Sequence, residues 1–263
     1  DRLRSRGLGD VYKRQDKNGT TLPEPGVERV PFNELPIDCE KFMRDNTGKY
    51  TSLLWEPNKY INIMVYPFTD SQILGISTFP YSLKDFFLEG TQQVSASWIT
   101  LENLSFPYCI SINSSYIYEQ STDERINQND AAITLAHELG HYLGLRHVFS
   151  EGGTTSMCTD TDYCKDTPSY NRSEYEQWLN NLDKQNKYQL KDLAKRYSCE
   201  KGEYEAHNIM DYAYCFYNEI TLEQRKRIRH ILNYSPLIPG PKESRIDTRG
   251  VQGRLNLPIC IMK

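Results

Sequence analysis

The sequence predicts an α+β fold: one twisted mixed β-sheet with a long helix packed on it, then an irregular C-terminal part closed by a second helix. Three observations carry this. Runs 60–68, 73–79, 93–101 and 108–112 are rich in β-branched and aromatic residues and precede any long helical pattern. A helical stretch follows in which His137 and His141 stand one turn apart. Far downstream, Thr221 and Gln224 form a capping box. Leu222, Ile228 and Ile231 then give an apolar stripe running to about Leu232.

Size and composition narrow the class. At 263 residues the chain can bury a sizeable core. No apolar run approaches the ~18 residues of a membrane span. A net charge of -4 without a basic block argues against nucleic acid as a partner. Seven cysteines are many for a cytosolic enzyme. Cys158, Cys164, Cys199 and Cys215 cluster after the histidine helix and read as a disulfide framework, hence an oxidising compartment. A second metal site is the competing reading, but the paired C-x-x-C of zinc ribbons is missing. The odd count leaves one thiol over, assigned to Cys260.

In chain order, residues 1–15 are basic and without period. Asp10-Val11-Tyr12-Lys13-Arg14-Gln15 resembles the translated end of a transposon used in library construction, so the segment reads as foreign to the fold. Residues 16–30 are loop-like, and 37–46 suggest a short helix. After the four strands, the central helix starts near Asn129 or Asp130, either able to cap it. Ile133, Ala136 and Gly140, or Leu139 and Leu143, trace its inward face. A charged helix is expected over 172–197. From Ser235 onward Pro and Gly recur, suggesting a loose tail or an edge strand. No secretory leader is visible.

The chemistry concentrates in His137-Glu138-Leu139-Gly140-His141-Tyr142-Leu143-Gly144-Leu145-Arg146-His147. Two imidazoles on one helical face can grip a zinc ion. Gly144 lets the helix stop and the chain turn, so that His147 returns as a third ligand. Three protein ligands leave a fourth position for water, the open arrangement of a catalytic zinc. Glu138 is placed to act on that water without being a ligand. A helix with solvated histidines fits poorly, since three of the chain's five His fall at ligand positions. The long pattern H-E-x-x-H-x-x-G-x-x-H matches the metzincin signature. Asn208-Ile209-Met210-Asp211-Tyr212 fits the methionine turn that accompanies it, with Met210 as an apolar floor under the imidazoles. Tyr212 could point its hydroxyl at the metal or be a buried tyrosine with a structural hydrogen bond. Asp160, Asp162 and Asp166 could coordinate calcium or form a solvated acidic loop.

The extended zinc motif, the N-x-M-D-Y turn and the loop C-x-D-x-D-Y-C-x-D-T-P together resemble the pappalysin family of metzincin metallopeptidases. In particular the chain is similar to the Bacteroidetes-type zinc-dependent metalloproteinase lipoproteins. The resemblance spans about 60–232. It implies a metzincin-like fold in two parts, an upper one over 16–147 and a lower one over 148–263, with zinc on His137, His141 and His147, Glu138 as base and a transition-state role for Tyr212. It also implies calcium near the acidic loop, and disulfides Cys158–Cys199 and Cys164–Cys215. Secretion or a cell-surface site is implied too, with a lipid anchor at a missing N-terminus. The first strand and backing helix of the family have little room here, so the fold is expected to be truncated at its N-terminus. Segment 172–197 looks like an insertion.

The reading is a zinc metalloendopeptidase acting on protein or peptide substrates. The alternative is a catalytically silent zinc-bearing binding or adhesion domain, against which Glu138 argues, since pure binding needs no general base.

Overall fold

The structure, a computed structural model, describes residues 14–95, 99–149, 162–198, 200, 202–242 and 259–262. Two compact units result, 1–35 and 36–263. In the first, antiparallel bridges join Gln15 to Thr21 and Glu24 to Val27. The Asp16 carboxylate accepts from the N–H groups of Asn18 and Thr20, which tightens the first turn. The candidate site lies wholly in the second unit.

That unit begins with α1 (Cys39–Arg44), capped by the Asp38 side chain. Strands β1 (Ile63–Tyr66), β2 (Gly75–Thr78), β3 (Tyr81–Leu83), β4 (Gln92–Val94) and β5 (Ile110–Asn113) follow. Then come α2 (Ala131–Tyr142), α3 (Arg172–Asn180), α4 (Leu190–Leu193), β6 (Lys195–Ser198), β7 (Gly202–Glu205), α5 (Leu222–Tyr234) and β8 (Ile259–Met262).

The central sheet has the order β1-β5-β2-β8. β5 pairs parallel with β1 and antiparallel with β2, and β8 closes the other side of β2 in antiparallel register. β2 and β5 are buried along their length, as expected where both faces are covered. Alternation sorts their side chains. Ile110 and Ile112 join Tyr108, Tyr142 and Ile231 in one core. Cys109 and Ile76 join Phe42, Met43 and Tyr66 in another. The first core also takes in Leu135, Leu139 and Leu143 of α2 and its C-terminal cap, so the leucine stripe expected on that helix packs there.

Two expectations need correction. The run 93–101 supplies only the short β4, which pairs with β3 in a separate sheet. The fourth strand of the central sheet is β8, from the tail. Strand pairing follows the available edge more than local propensity. Segment 172–197 is likewise three elements rather than one helix. Asn181 caps α3, the Asp183 carboxylate accepts from Gln185 N at 2.9 Å, and Asn186 N donates to the Asp183 carbonyl at 3.1 Å. Such short polar side chains offer the backbone an alternative to helix. The chain restarts in α4 with a Gln189/Asp192 capping box.

α2 begins at Asp130, as expected, but the Asp130 carboxylate accepts from Ser121 N at 2.8 Å instead of capping the helix. The helix end follows the expected turn. Gly144 has φ +89°, Gly144 N donates to His141 O at 2.9 Å, and Leu145 N donates to Gly140 O at 2.9 Å. This is a Schellman ending, and the left-handed residue in it favours glycine. The expected Thr221/Gln224 box opens α5.

Candidate active site

α2 carries His137 and His141, and the Schellman turn brings His147 back towards them. The three Nε2 atoms form a triangle with sides of 3.1 Å (His137 to His141), 3.0 Å (His141 to His147) and 3.2 Å (His137 to His147). Zn–N bonds of 2.0–2.1 Å in tetrahedral geometry put ligand nitrogens roughly 3.3 Å apart. The triangle therefore fits zinc within a few tenths of an ångström. Among the described residues these three are the group of His, Cys, Asp or Glu side chains that could hold a metal ion.

The other ring nitrogens set the tautomers. His137 Nδ1 lies 2.8 Å from the Ile209 carbonyl, and His141 Nδ1 lies 2.8 Å from the Leu145 carbonyl. A carbonyl oxygen only accepts, so each Nδ1 carries the proton and each Nε2 keeps its lone pair for a metal. Burial, then repulsion from neighbouring imidazoles, holds His141 well below the usual histidine range. Burial, then His137 and Arg172, does the same to His147. Both are neutral at pH 7, the form that ligates.

Glu138 is fully buried beside His137. Its place depends on Gly75 of β2, where a Cβ would stand 2.7 Å from Glu138 Cγ and 3.1 Å from its Oε1. Glycine lets the strand backbone pass against the carboxylate side chain. Gly140, between the two helical histidines, plays the same part for Met210, whose sulfur a Cβ there would strike.

The methionine turn is built locally. Asn208 Oδ1 accepts from Met210 N at 2.9 Å, and Asp211 N donates to Asn208 O at 3.1 Å. Asn208 and Gln224 of α5 exchange amide hydrogen bonds of 2.8 and 3.1 Å, which key the turn to the capped helix end. Met210 is fully buried. The Tyr212 ring lies 4.5 Å from that of His147 and 5.5 Å from that of His137.

Of the three aspartates expected near calcium, Asp162 and Asp166 are described. Asp162 accepts from Cys164 N at 2.9 Å and from the Thr167 hydroxyl at 2.7 Å. Asp166 accepts from the Thr221 hydroxyl at 2.8 Å and from Glu223 N at 2.9 Å, at the positive end of α5. Asp160 lies outside the described residues, as do Cys158 and Cys199. The expected Cys164–Cys215 bridge is absent, for both are free thiols. The Cys215 thiol donates instead to the Ala206 and Asn208 carbonyls at 3.2 and 3.3 Å, and the Cys164 sulfur faces the Asp162 carbonyl at 3.8 Å. Burial, then the charge of Asp162, pushes the Cys164 thiol up to about 12. Cys260, the expected leftover thiol, lies in β8, and Cys39 and Cys109 are free thiols.

Several residues at the site were not singled out from the sequence. Phe149 stacks on His147 at 4.7 Å and 11°. The Arg172 guanidinium lies 4.6 Å from the Tyr212 ring centre. Gly75 and Arg196 complete the set. Phe149 follows the zinc motif closely enough for its position to have flagged it. The others meet the site through long-range contacts that no local pattern announces.

Comparison with known proteins agrees with this geometry. The family model for Peptidase M43, described as pregnancy-associated plasma protein-A, matches residues 89–233, more than half of the chain. The chain belongs to this family, the pappalysins. An extracellular metalloprotease of Arthroderma otae is 31% identical over 188 residues, covering 70% of the chain and 55% of that protein. One from Arthroderma benhamiae is 30% identical over the same coverage. The chain thus spans about half the length of these curated relatives. Among solved structures, mirolysin in complex with compound 9 aligns at a TM-score of 0.50 and 22% identity, over 84% of this chain and 69% of that one. Mature mirolysin of Tannerella forsythia with a cleaved peptide aligns at 0.46 and 22%, over 82% and 67%. The first of these likenesses supports the metzincin-like α+β fold.

Proposed function

We propose that the chain is a zinc metalloendopeptidase that hydrolyses peptide bonds, with Glu138 as general base. The observation that carries this is the Nε2 triangle of 3.0–3.2 Å with a buried carboxylate on the residue after His137. A zinc ion held by His137, His141 and His147 would lower the pKa of its bound water towards ~7 and polarise the scissile carbonyl. Glu138 takes the proton from the attacking water and delivers it to the leaving amine. The Tyr212 hydroxyl donates to the developing oxyanion, a contribution typically of roughly 2.7–4 kcal/mol for one such donor. The setting is extracellular, as the names of the curated relatives suggest. Among the described residues no helix is long and apolar enough to cross a membrane.

The test compares the wild type with Glu138→Ala on a peptide library, with zinc determined in each. Cleavage by the wild type alone, at equal zinc, is the expected result. Zinc at one per chain with no cleavage by either would favour the silent binding domain. A chain that takes up no zinc overturns the reading of the three histidines.

A further inference from the structure

We infer that Arg196 is a positioning residue for the reaction, a fork that fixes the backbone on both sides of Ala213 and so sets Tyr212 beside His147. The inference rests on the peptidase reading above. Arg196 is 1% exposed, yet it is not simply one half of an ion pair, since its Nε stands 3.6 Å from Asp211 Oδ2. Its donors go mainly to main-chain carbonyls. Nη1 donates to Leu193 O at 3.0 Å and Lys195 O at 3.2 Å. Nη2 donates to Tyr212 O and Tyr214 O, both at 3.1 Å. The guanidinium plane is braced by Tyr175, whose ring centre is 3.6 Å away, and by Tyr170 at 5.1 Å.

The clamped segment is one that needs holding. Ala213, between the two carbonyls, has φ 52°, a left-handed conformation that residues with a Cβ resist. Asp211, before it, accepts from the Tyr170 hydroxyl at 2.5 Å and from Tyr212 N at 2.7 Å. Tyr212 is therefore gripped on its N–H by Asp211 and on its carbonyl by Arg196. A buried arginine is costly to desolvate, and packed apolar side chains often serve stability as well. What a guanidinium adds is a rigid fork that can hold carbonyls of two segments at once. A lysine ammonium keeps the charge but lacks that geometry. The sequence has the residue in a segment outside the zinc motif, and the fold brings it to the chain directly behind Tyr212.

The experiment is a double-mutant cycle of Arg196→Lys and Tyr212→Phe in the zinc-loaded chain, reading kcat and KM on a cleaved peptide, with zinc content and Tm as controls. We expect Arg196→Lys to keep zinc at one per chain, to lower kcat by about tenfold or more and to leave KM within about threefold. In the Tyr212→Phe background the same change should alter kcat by less than about twofold, because the group it positions is gone. An equal fall in both backgrounds makes Arg196 a general structural support and overturns the inference. So does wild-type kcat in Arg196→Lys, or in Tyr212→Phe. Should Arg196→Lys fail to fold, Tyr170→Phe, which deletes one hydroxyl donor to Asp211, enters the cycle in its place with the same expected non-additivity. Zinc-loaded wild type that cleaves nothing overturns the peptidase reading, and this inference with it. Cleavage by the wild type with an additive cycle overturns this inference alone.

Discussion

Gly75→Ala tests whether the β2 backbone sets the position of Glu138, the proposed general base. The added Cβ would meet Glu138 Cγ at 2.7 Å, Thr134 Cγ2 at 3.0 Å and Glu138 Oε1 at 3.1 Å. Carbon pairs prefer about 3.5–4.0 Å, so the overlap is close to 1 Å. Alanine's own backbone preferences do not oppose the change, since Gly75 is not among the positive-φ residues. Glu138 and Thr134 are both buried on α2, so neither can swing into solvent. The relief must come from moving the carboxylate or parting helix and strand. Overpacking of this kind costs about 1–3 kcal/mol, with Tm falling roughly 2–4 °C for each kcal/mol. A general base displaced by about 1 Å loses on the order of 10²-fold in kcat, or about 2.7 kcal/mol of transition-state stabilisation. The three imidazoles are held from other directions, so zinc should remain near one per chain. The assay is steady-state cleavage of a peptide by zinc-loaded Gly75→Ala, normalised to bound zinc, beside a thermal melt. Wild-type kcat together with wild-type Tm would refute the argument that the missing side chain makes room for the base.

Two further outcomes follow from the same geometry. Gly144→Ala should destabilise the fold by at least about 1–2 kcal/mol in a urea titration, because the residue sits at φ +89° and its Cβ would also meet Ile231 Cγ1 at 2.7 Å. An unchanged midpoint would show that the turn does not need glycine. In the metal-free chain, burial holds the folded-state pKa values of His141 and His147 below the ordinary histidine value of about 6.5, so below that pH the unfolded chain binds more protons than the folded one. Stability should be fully present above about pH 6.5 and fall by up to about 1.4 kcal/mol per pH unit for each histidine below it. A denaturation series over pH 5–8 checks this, and a flat profile in that window contradicts it.

What could be read in the sequence was what local chemistry decides. The histidine spacing, the glycine ending of α2, the Asn208 turn and the Thr221/Gln224 box each depend on residues within a few positions of one another, and the structure has all four. The misreadings share the opposite cause. Whether 93–101 becomes a strand of the main sheet depends on which edge is open, and β8, far away in the chain, takes the place beside β2. The charge-rich stretch 172–197 has the composition of a solvent-facing helix, and nothing local marks Arg196 as its one buried cation. Its partners Tyr212 and Tyr214 come from beyond β7. Gly75 is equally silent in sequence, because its role is defined by Glu138 on another element.

The division has a physical basis in how the site is assembled. The three histidines proposed to hold zinc come from one helix and its turn, so their spacing is written in the chain. Tyr212 is different. It stands on an irregular segment where no helix or sheet ladder fixes the backbone, and the residue after it takes a left-handed conformation. Such a segment holds one position only if buried groups from elsewhere supply the hydrogen bonds that regular structure would have given. Asn208 and Gln224 do this before Met210, and Asp211, Tyr170 and Arg196 do it around Tyr212. Segment 172–197, which looked like an insertion relative to the family, supplies the Arg196 donor to the Tyr212 carbonyl. Deleting it should therefore disturb Tyr212 more than His137 and His141, whose Nδ1 partners and helical frame lie outside it.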